Sequence, residues 1–348
     1  MPTKITVGRG ITMVVRSGGG EAEREWQYGS VSTEEGSLFE LGSLTKLFTA
    51  TLLLELERAG KCSVYDRVAN YLPEIVPAAC NVTLLDLVTH RAGLPRLPKG
   101  IRPLDRDPYA GYDRGRLMRF LKTFTWRLGG ESAFLYSNLG YATLGVVLEN
   151  AGEACFEDLL RRYVLVPFGL RQLGFPPMRG RSRGEMVQGH SEAGFRVQAW
   201  EFAAFAPCGA LVGTAEDVGK FVKGINHDKY LTGAFMAVAE GGRGEIAFGW
   251  LLRAGGKVAW HNGATNGFSS YASLELETGK WLVLLANRYL PEISSIGHEM
   301  ERLYYFQQGP ERKPKNHTLR GLIRDGLVGT ARILGAAGWT QAKDKPPT

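Results

Sequence analysis

The stretch FELGSLTKLFTATLLLELERAGK (residues 39–61) sets a serine and a lysine, Ser43 and Lys46, one turn apart at the front of an apolar run. From Leu47 to Leu56 that run is apolar on nearly every side, which predicts a helix buried all round. A lysine at its first turn is awkward. The positive end of the helix macrodipole disfavours a cation, and the residues behind it are too apolar to solvate one. Two ordinary roles are open: Ser43 as an N-cap, and Lys46 with its stem along the surface and its ammonium in water. The chemical role is a nucleophile beside a general base. An amine within reach of a serine hydroxyl can take its proton, and the same helix terminus favours a developing alkoxide on Ser43.

The whole chain sets the frame. Its 348 residues are enough for a large core in one large domain or two interleaved ones. Hydrophobic content of 44% and charged content of 22% are those of a globular protein. The start, MPTKITVGRGITMVV, lacks an apolar segment of signal-peptide length, and no run approaches a membrane span. Cys62, Cys80, Cys155 and Cys208 form no CxxC or metal-type spacing. These features predict free thiols and a cytoplasmic protein without a membrane span. The net charge of +7 is concentrated in the tail, where residues 310–348 hold eight Lys/Arg against three acids. With no nucleic-acid motif beside it, that tail reads as a solvated appendage and not a nucleic-acid binder.

Strand patterns open and close the chain. ITMVVRS (11–17) and REWQYGS (24–30) pair about a GGGEAE turn, and EIAFGWLLRAGG, KVAWHNG, FSSYASLELETGK and WLVLLANR follow one another over 245–288. Helical patterns fill the middle: 82–94, 115–124, 138–153, 156–170 and 215–225, with another at 291–306. The fold class expected is α+β: an antiparallel sheet flanked by helices, with an inserted all-helical region. The expected division is a sheet domain from 1–60 and 245–309, a mainly helical insertion at 61–244, and a basic tail at 310–348. Within the tail, 321–334 reads as an amphipathic helix that docks on the body or stays disordered.

Two further short stretches carry chemistry. FLYSNLGY places Tyr136 and Asn138 two apart before a helix, so both can point from one loop into one cleft. The ordinary alternative is a buried tyrosine and a capping asparagine. WHNGATNGF supplies His261, Asn262, Gly263 and Ala264. On an edge strand, Gly263 would admit a substrate amide closely, and Ala264 could aim its N–H at an oxygen. A lone strand histidine is otherwise structural.

Taken in order, S-x-x-K, Y-S-N and H-N-G, spaced 93 and 125 residues apart from Ser43 to Tyr136 to His261, resemble the class C β-lactamase and serine DD-peptidase group. Family VIII esterases, D-aminopeptidases and acyltransferases are related to it. The stretches LLDLVTHRAGLP, VPFGL and PCGALVGTAEDVGKF are similar too, and the likeness runs from about 11 to 306. The resemblance implies a β-lactamase/transpeptidase-like fold and an acyl-enzyme on Ser43. Lys46 would accept its proton, with Tyr136 sharing acid/base duty. Asn138 would hold the acyl-side carbonyl. The backbone N–H groups of Ser43 and Ala264 would form the oxyanion hole, with Gly263 beside them. His261 stands where many relatives carry the lysine of K-T-G. It would be cationic only part of the time near neutrality, which weakens a dedicated β-lactamase reading. No metal or cofactor is implied. The function expected is hydrolysis of a small ester or amide. The alternatives are an acyltransferase of secondary metabolism, served by an acyl acceptor or acyl-carrier partner, and an inactive binding or sensor homologue. A DD-peptidase or dedicated β-lactamase ranks below these.

Overall fold

The computed structural model describes residues 12–19, 23–29, 36–75, 81–101, 107–126, 134–176, 186–240, 246–305 and 340–341. The strands from the two ends of the chain meet in one antiparallel sheet. Strand β1 (Thr12–Gly18) pairs on one side with β2 (Arg24–Gly29) and on the other with a strand from far down the chain, β9 (Trp281–Ala286). Beyond β9 follow β8 (Ser269–Glu275), β7 (Val258–Ala264), β6 (Trp250–Arg253) and β5 (Ile246–Ala247). At the opposite edge β10 (Thr340–Gln341) pairs with β2. Apart from β10, the basic tail lies outside the described residues, including the helix expected at 321–334.

Both faces of this sheet are covered, which is why WLVLLA in β9 is apolar without alternation. Trp281, Val283 and Leu285 join Val14 on the side of helices α1 (Thr45–Arg58) and α8 (Ala215–His227). Leu282 and Leu284 join Met13 and Val15 on the side of α10 (Ile293–Tyr305). Successive side chains of a strand point to opposite faces, so one apolar strand serves two cores. On the first side Phe48 of α1 stacks on Phe221 of α8 at 3.9 Å. On the second, the buried carboxylate of Glu301 pairs with Arg253 and accepts a 2.5 Å bond from the Tyr271 hydroxyl.

In the middle of the chain helices α2 (Val68–Tyr71), α3 (Leu84–Val88) and α4 (Arg114–Thr123) come first. They are followed by α5 (Asn138–Gly152), α6 (Phe156–Leu160), α7 (Ala206–Gly209) and α9 (Lys229–Glu240). Three of these helices, α5, α6 and α7, pack on α1, which is buried over nearly its whole length, Lys46 included. A small ribbon matters for the site. Strand β3 (Phe39–Glu40) pairs with β4 (Val212–Gly213), laying the approach to Ser43 against the segment that carries α7.

Two local expectations are corrected, and one helix is new. The helix expected over 82–94 is only α3: a Thr83–Asp86 capping box starts it, and His90 at φ +58° ends the turn. α9 was not anticipated. Strand β7 is not a plain edge strand, because it lies between β6 and β8; but β6 reaches only Val258–Trp260, so among the described residues no strand pairs with His261–Ala264 on that side. No described helix is long and apolar enough to cross a membrane.

Candidate active site

Ser43 lies in a tight 3₁₀ turn, Gly42–Leu44, that feeds directly into α1. It does not cap the helix through its side chain. Its hydroxyl instead accepts a 3.0 Å bond from Lys46 Nζ, which also donates to the Cys208 carbonyl at 2.8 Å. Lys46 is 0% exposed, so the surface role is excluded. The amine has the Tyr136 ring at 5.0 Å and the Tyr141 ring at 5.5 Å, and no carboxylate among the described residues pairs with it. The Cys208 carbonyl is there because the β3–β4 ribbon and a buried bond from Thr49 Oγ1 to the Pro207 carbonyl, 2.7 Å, hold α7 against α1.

The turn at Ser43 is clamped to β7. Gly42 has φ +50°, and a Cβ there would stand 2.7 Å from the Ala264 nitrogen. A Cβ on Gly263 would stand 2.1 Å from the Leu41 carbonyl oxygen and 2.9 Å from the Ser43 nitrogen. Gly263 is therefore required by the backbone crossing it, a nearer neighbour than the substrate amide expected from sequence. Ser270 of β8 ties the crossing down, donating to the Leu41 carbonyl at 2.7 Å. Glu40, buried, accepts from Thr265 Oγ1 at 2.6 Å and from the Trp200 N–H at 3.0 Å. The backbones of Ser43 and Ala264 thus lie side by side.

Tyr136 and Asn138 arrive from the start of α5. Ser137, between them, is the N-cap: its hydroxyl accepts from the Gly140 N–H at 2.8 Å and donates to the Pro95 carbonyl at 2.7 Å. Asn138 is the first helical residue, not the cap. Its amide donates to the Tyr109 hydroxyl at 2.8 Å, while its Oδ1 is buried without a partner. Tyr136 is half-buried, and its phenol makes no hydrogen bond among the described residues.

His261 lies 6.1 Å from Tyr136, ring to ring. The Asn262 carbonyl is 2.5 Å from its Nδ1, which places the ring proton there and leaves the Nε2 lone pair buried and unpartnered. Burial first, and the Lys46 charge second, push this imidazole down to about 3. The expectation of a part-time cation is corrected: with its ring 1% exposed, His261 is held neutral throughout the physiological range chiefly by burial.

Sequence reasoning passed over His90 and Tyr109. His90 is buried with its ring 4.5 Å from Tyr136, and its Nδ1 accepts from the Ser137 N–H at 3.0 Å. Burial, then Lys46, His261 and Arg96, hold it well below the ordinary histidine range. THRAGLP had marked this segment without marking the side chain. Tyr109 comes from the loop before α4 and stacks on Phe202 at 5.0 Å; nothing in its local sequence singles it out.

The architecture is that of the class C β-lactamases. One such structure superposes with a TM-score of 0.72 at 20% identity, over 86% of this chain and 92% of that one. The chain belongs to the beta-lactamase family, whose model matches residues 6–301, and its members are serine hydrolases. Penicillin-binding protein 4* of Bacillus subtilis (strain 168) is 24% identical over 284 residues, 72% of this chain and 61% of that protein. The D-alanyl-D-alanine-carboxypeptidase/endopeptidase AmpH of Escherichia coli (strain K12) is 28% identical over 162 residues, 45% of this chain and 42% of that one. The match thus spans less than two thirds of either relative's length.

Proposed function

We propose that the protein is a serine hydrolase that opens small esters or amides through an acyl-enzyme on Ser43. The observation that carries this is the 3.0 Å contact between Ser43 Oγ and a Lys46 amine wholly withdrawn from water. With the amine unprotonated, the hydroxyl proton passes to Nζ as Oγ attacks the carbonyl carbon. The carbonyl's electron pair moves onto its oxygen, which the backbone N–H groups of Ser43 and Ala264 receive. Each such donor lowers the barrier by about 3–4 kcal/mol in well-studied cases. Tyr136 shares the proton traffic toward the leaving group; its phenol is uncommitted, as suits a group whose hydrogen bonds tighten only around substrate. Asn138 orients the acyl side. Water then releases the acid and restores Ser43. Replacing that water by an alcohol or amine would make the same site an acyltransferase, the second reading.

Two experiments test this. A fluorophosphonate probe should add one adduct to the intact mass, and Ser43→Ala should abolish it; an unlabelled native protein would point to an inactive homologue. A panel of 4-nitrophenyl esters, a chromogenic cephalosporin, a D-Ala-D-Ala peptide and thioesters, each with and without an amine acceptor, ranks the substrates. We expect the esters to lead. A D-Ala-D-Ala peptide as the best substrate would overturn the ranking, and amide products in place of acids would move the assignment to acyl transfer.

A further inference from the structure

The β7 wall of the site offers no cation, since His261 is neutral there. The segment that follows α3 does. Arg96 is exposed, and its guanidinium carbon stands 5.3 Å from the centre of the Tyr136 ring, the same ring that lies 5.0 Å from Lys46 Nζ. No carboxylate among the described residues pairs with Arg96. Its charge is felt at Cys208, Tyr109 and His90, lowering the proton affinity of each.

A purely structural role explains this poorly. Stacking of an exposed guanidinium on an aromatic ring contributes little to stability. The segment is already fixed without the side chain, because the Arg96 carbonyl accepts the Asn138 and Leu139 N–H groups at 3.1 and 3.3 Å. The side chain is exposed, and its five N–H donors make no hydrogen bond to a described residue. An exposed cation with no carboxylate partner among the described residues attracts an anion into the site. Arginine's planar fork suits a carboxylate, which it can bind with two parallel bonds.

We propose that Arg96 is the anion receptor of this enzyme, and that its preferred substrates carry a carboxylate on the acyl side of the scissile bond. The acyl side follows from position: Arg96 is joined through its backbone to Asn138, the residue assigned to the acyl-side carbonyl. The proposal rests on the Ser43 acyl-enzyme described above.

The test compares 4-nitrophenyl hemiesters of straight-chain dicarboxylic acids of four to eight carbons with the same esters capped as methyl esters. Matching trimethylammonio-acyl esters, and esters with the carboxylate moved to the leaving alcohol, complete the set. The readout is the ratio of kcat/KM between carboxylate and capped substrate. A charge-assisted bond predicts a ratio of about tenfold or more in the native enzyme. Arg96→Gln should bring it to about one, Arg96→Lys should keep part of it, and Arg96→Glu should reverse it in favour of the trimethylammonio ester. A merely structural arginine would not produce that reversal. A native ratio near one, a ratio unchanged by Arg96→Gln, or a preference confined to carboxylates on the alcohol overturns the proposal. Intact-mass detection of the Ser43 acyl adduct separates the two failures. Adducts from capped esters without a carboxylate advantage sink the arginine role alone; no adduct from any ester sinks the acyl-enzyme and the arginine role with it.

Discussion

Lys46 is the residue on which the chemistry turns. A buried amine held by one hydroxyl and one carbonyl has few ways to be merely structural. Replacing it by methionine, which fills similar volume, should lower the acylation rate by about 10²-fold or more while the fold persists. Pre-steady-state burst kinetics with a 4-nitrophenyl ester measure this directly. Tyr136→Phe should slow acylation comparably. His261→Asn should not move the acidic limb of the pH–rate profile between pH 5 and 8, because the native imidazole, at about 3, does not titrate there. An acidic limb that vanishes in that variant would restore a cationic role. Ser43, Lys46, Tyr136 and Asn138 were readable as candidates because each sits in a short pattern whose spacing implies a helix start or a loop facing it. The charge state of His261 was not readable. It depends on burial and on a lysine 215 positions away in sequence, and neither is local.

Among the elements, the crossing of the Ser43 turn over β7 sets the geometry of the site. A methyl group on Gly263 would meet the Leu41 carbonyl oxygen at 2.1 Å, closer than any real contact, and rigid backbone leaves it nowhere to go. Gly263→Ala should cost about 1–3 kcal/mol of stability and also abolish fluorophosphonate labelling. Denaturant melts and intact mass check the two effects separately. A labelled, equally stable variant would show that the crossing is looser than drawn. The long helices were plain in the sequence, α1 and α5 from their sustained apolar runs and α8 from its amphipathic period. α3 was overextended because nothing in DLVTHRAG announces a left-handed histidine. That β6 pairs with only part of β7 was hidden as well, since the length of a neighbouring strand is a property of the sheet.

For the molecule as a whole, three histidines couple stability to acid, His90 among them because burial holds it well below the ordinary range. Burial holds His261 near 3, and burial with Arg253 brings His298 to about 4, whereas an unfolded chain binds those protons near 6.5. Between those limits the unfolded state carries more protons, so stability is full above about pH 6.5 and falls as the pH drops toward 4 and then 3. The Tm should therefore decline steadily from pH 7 to pH 4.5, and His298→Gln should make that decline shallower. A Tm flat across this range, or a slope unaffected by the substitution, would contradict the assignment.

The pairing of β1 with β9, Met13 opposite Ala286, sets a schedule for biosynthesis. At roughly 5–20 residues per second a ribosome takes on the order of 15–50 s to travel between those two positions. Throughout that interval the hairpin of β1 and β2 has emerged while one flank waits for a neighbour not yet translated. The nascent chain thus carries an unsatisfied strand edge, so escort by holdase chaperones during translation should matter more to the yield of active enzyme than help given after release.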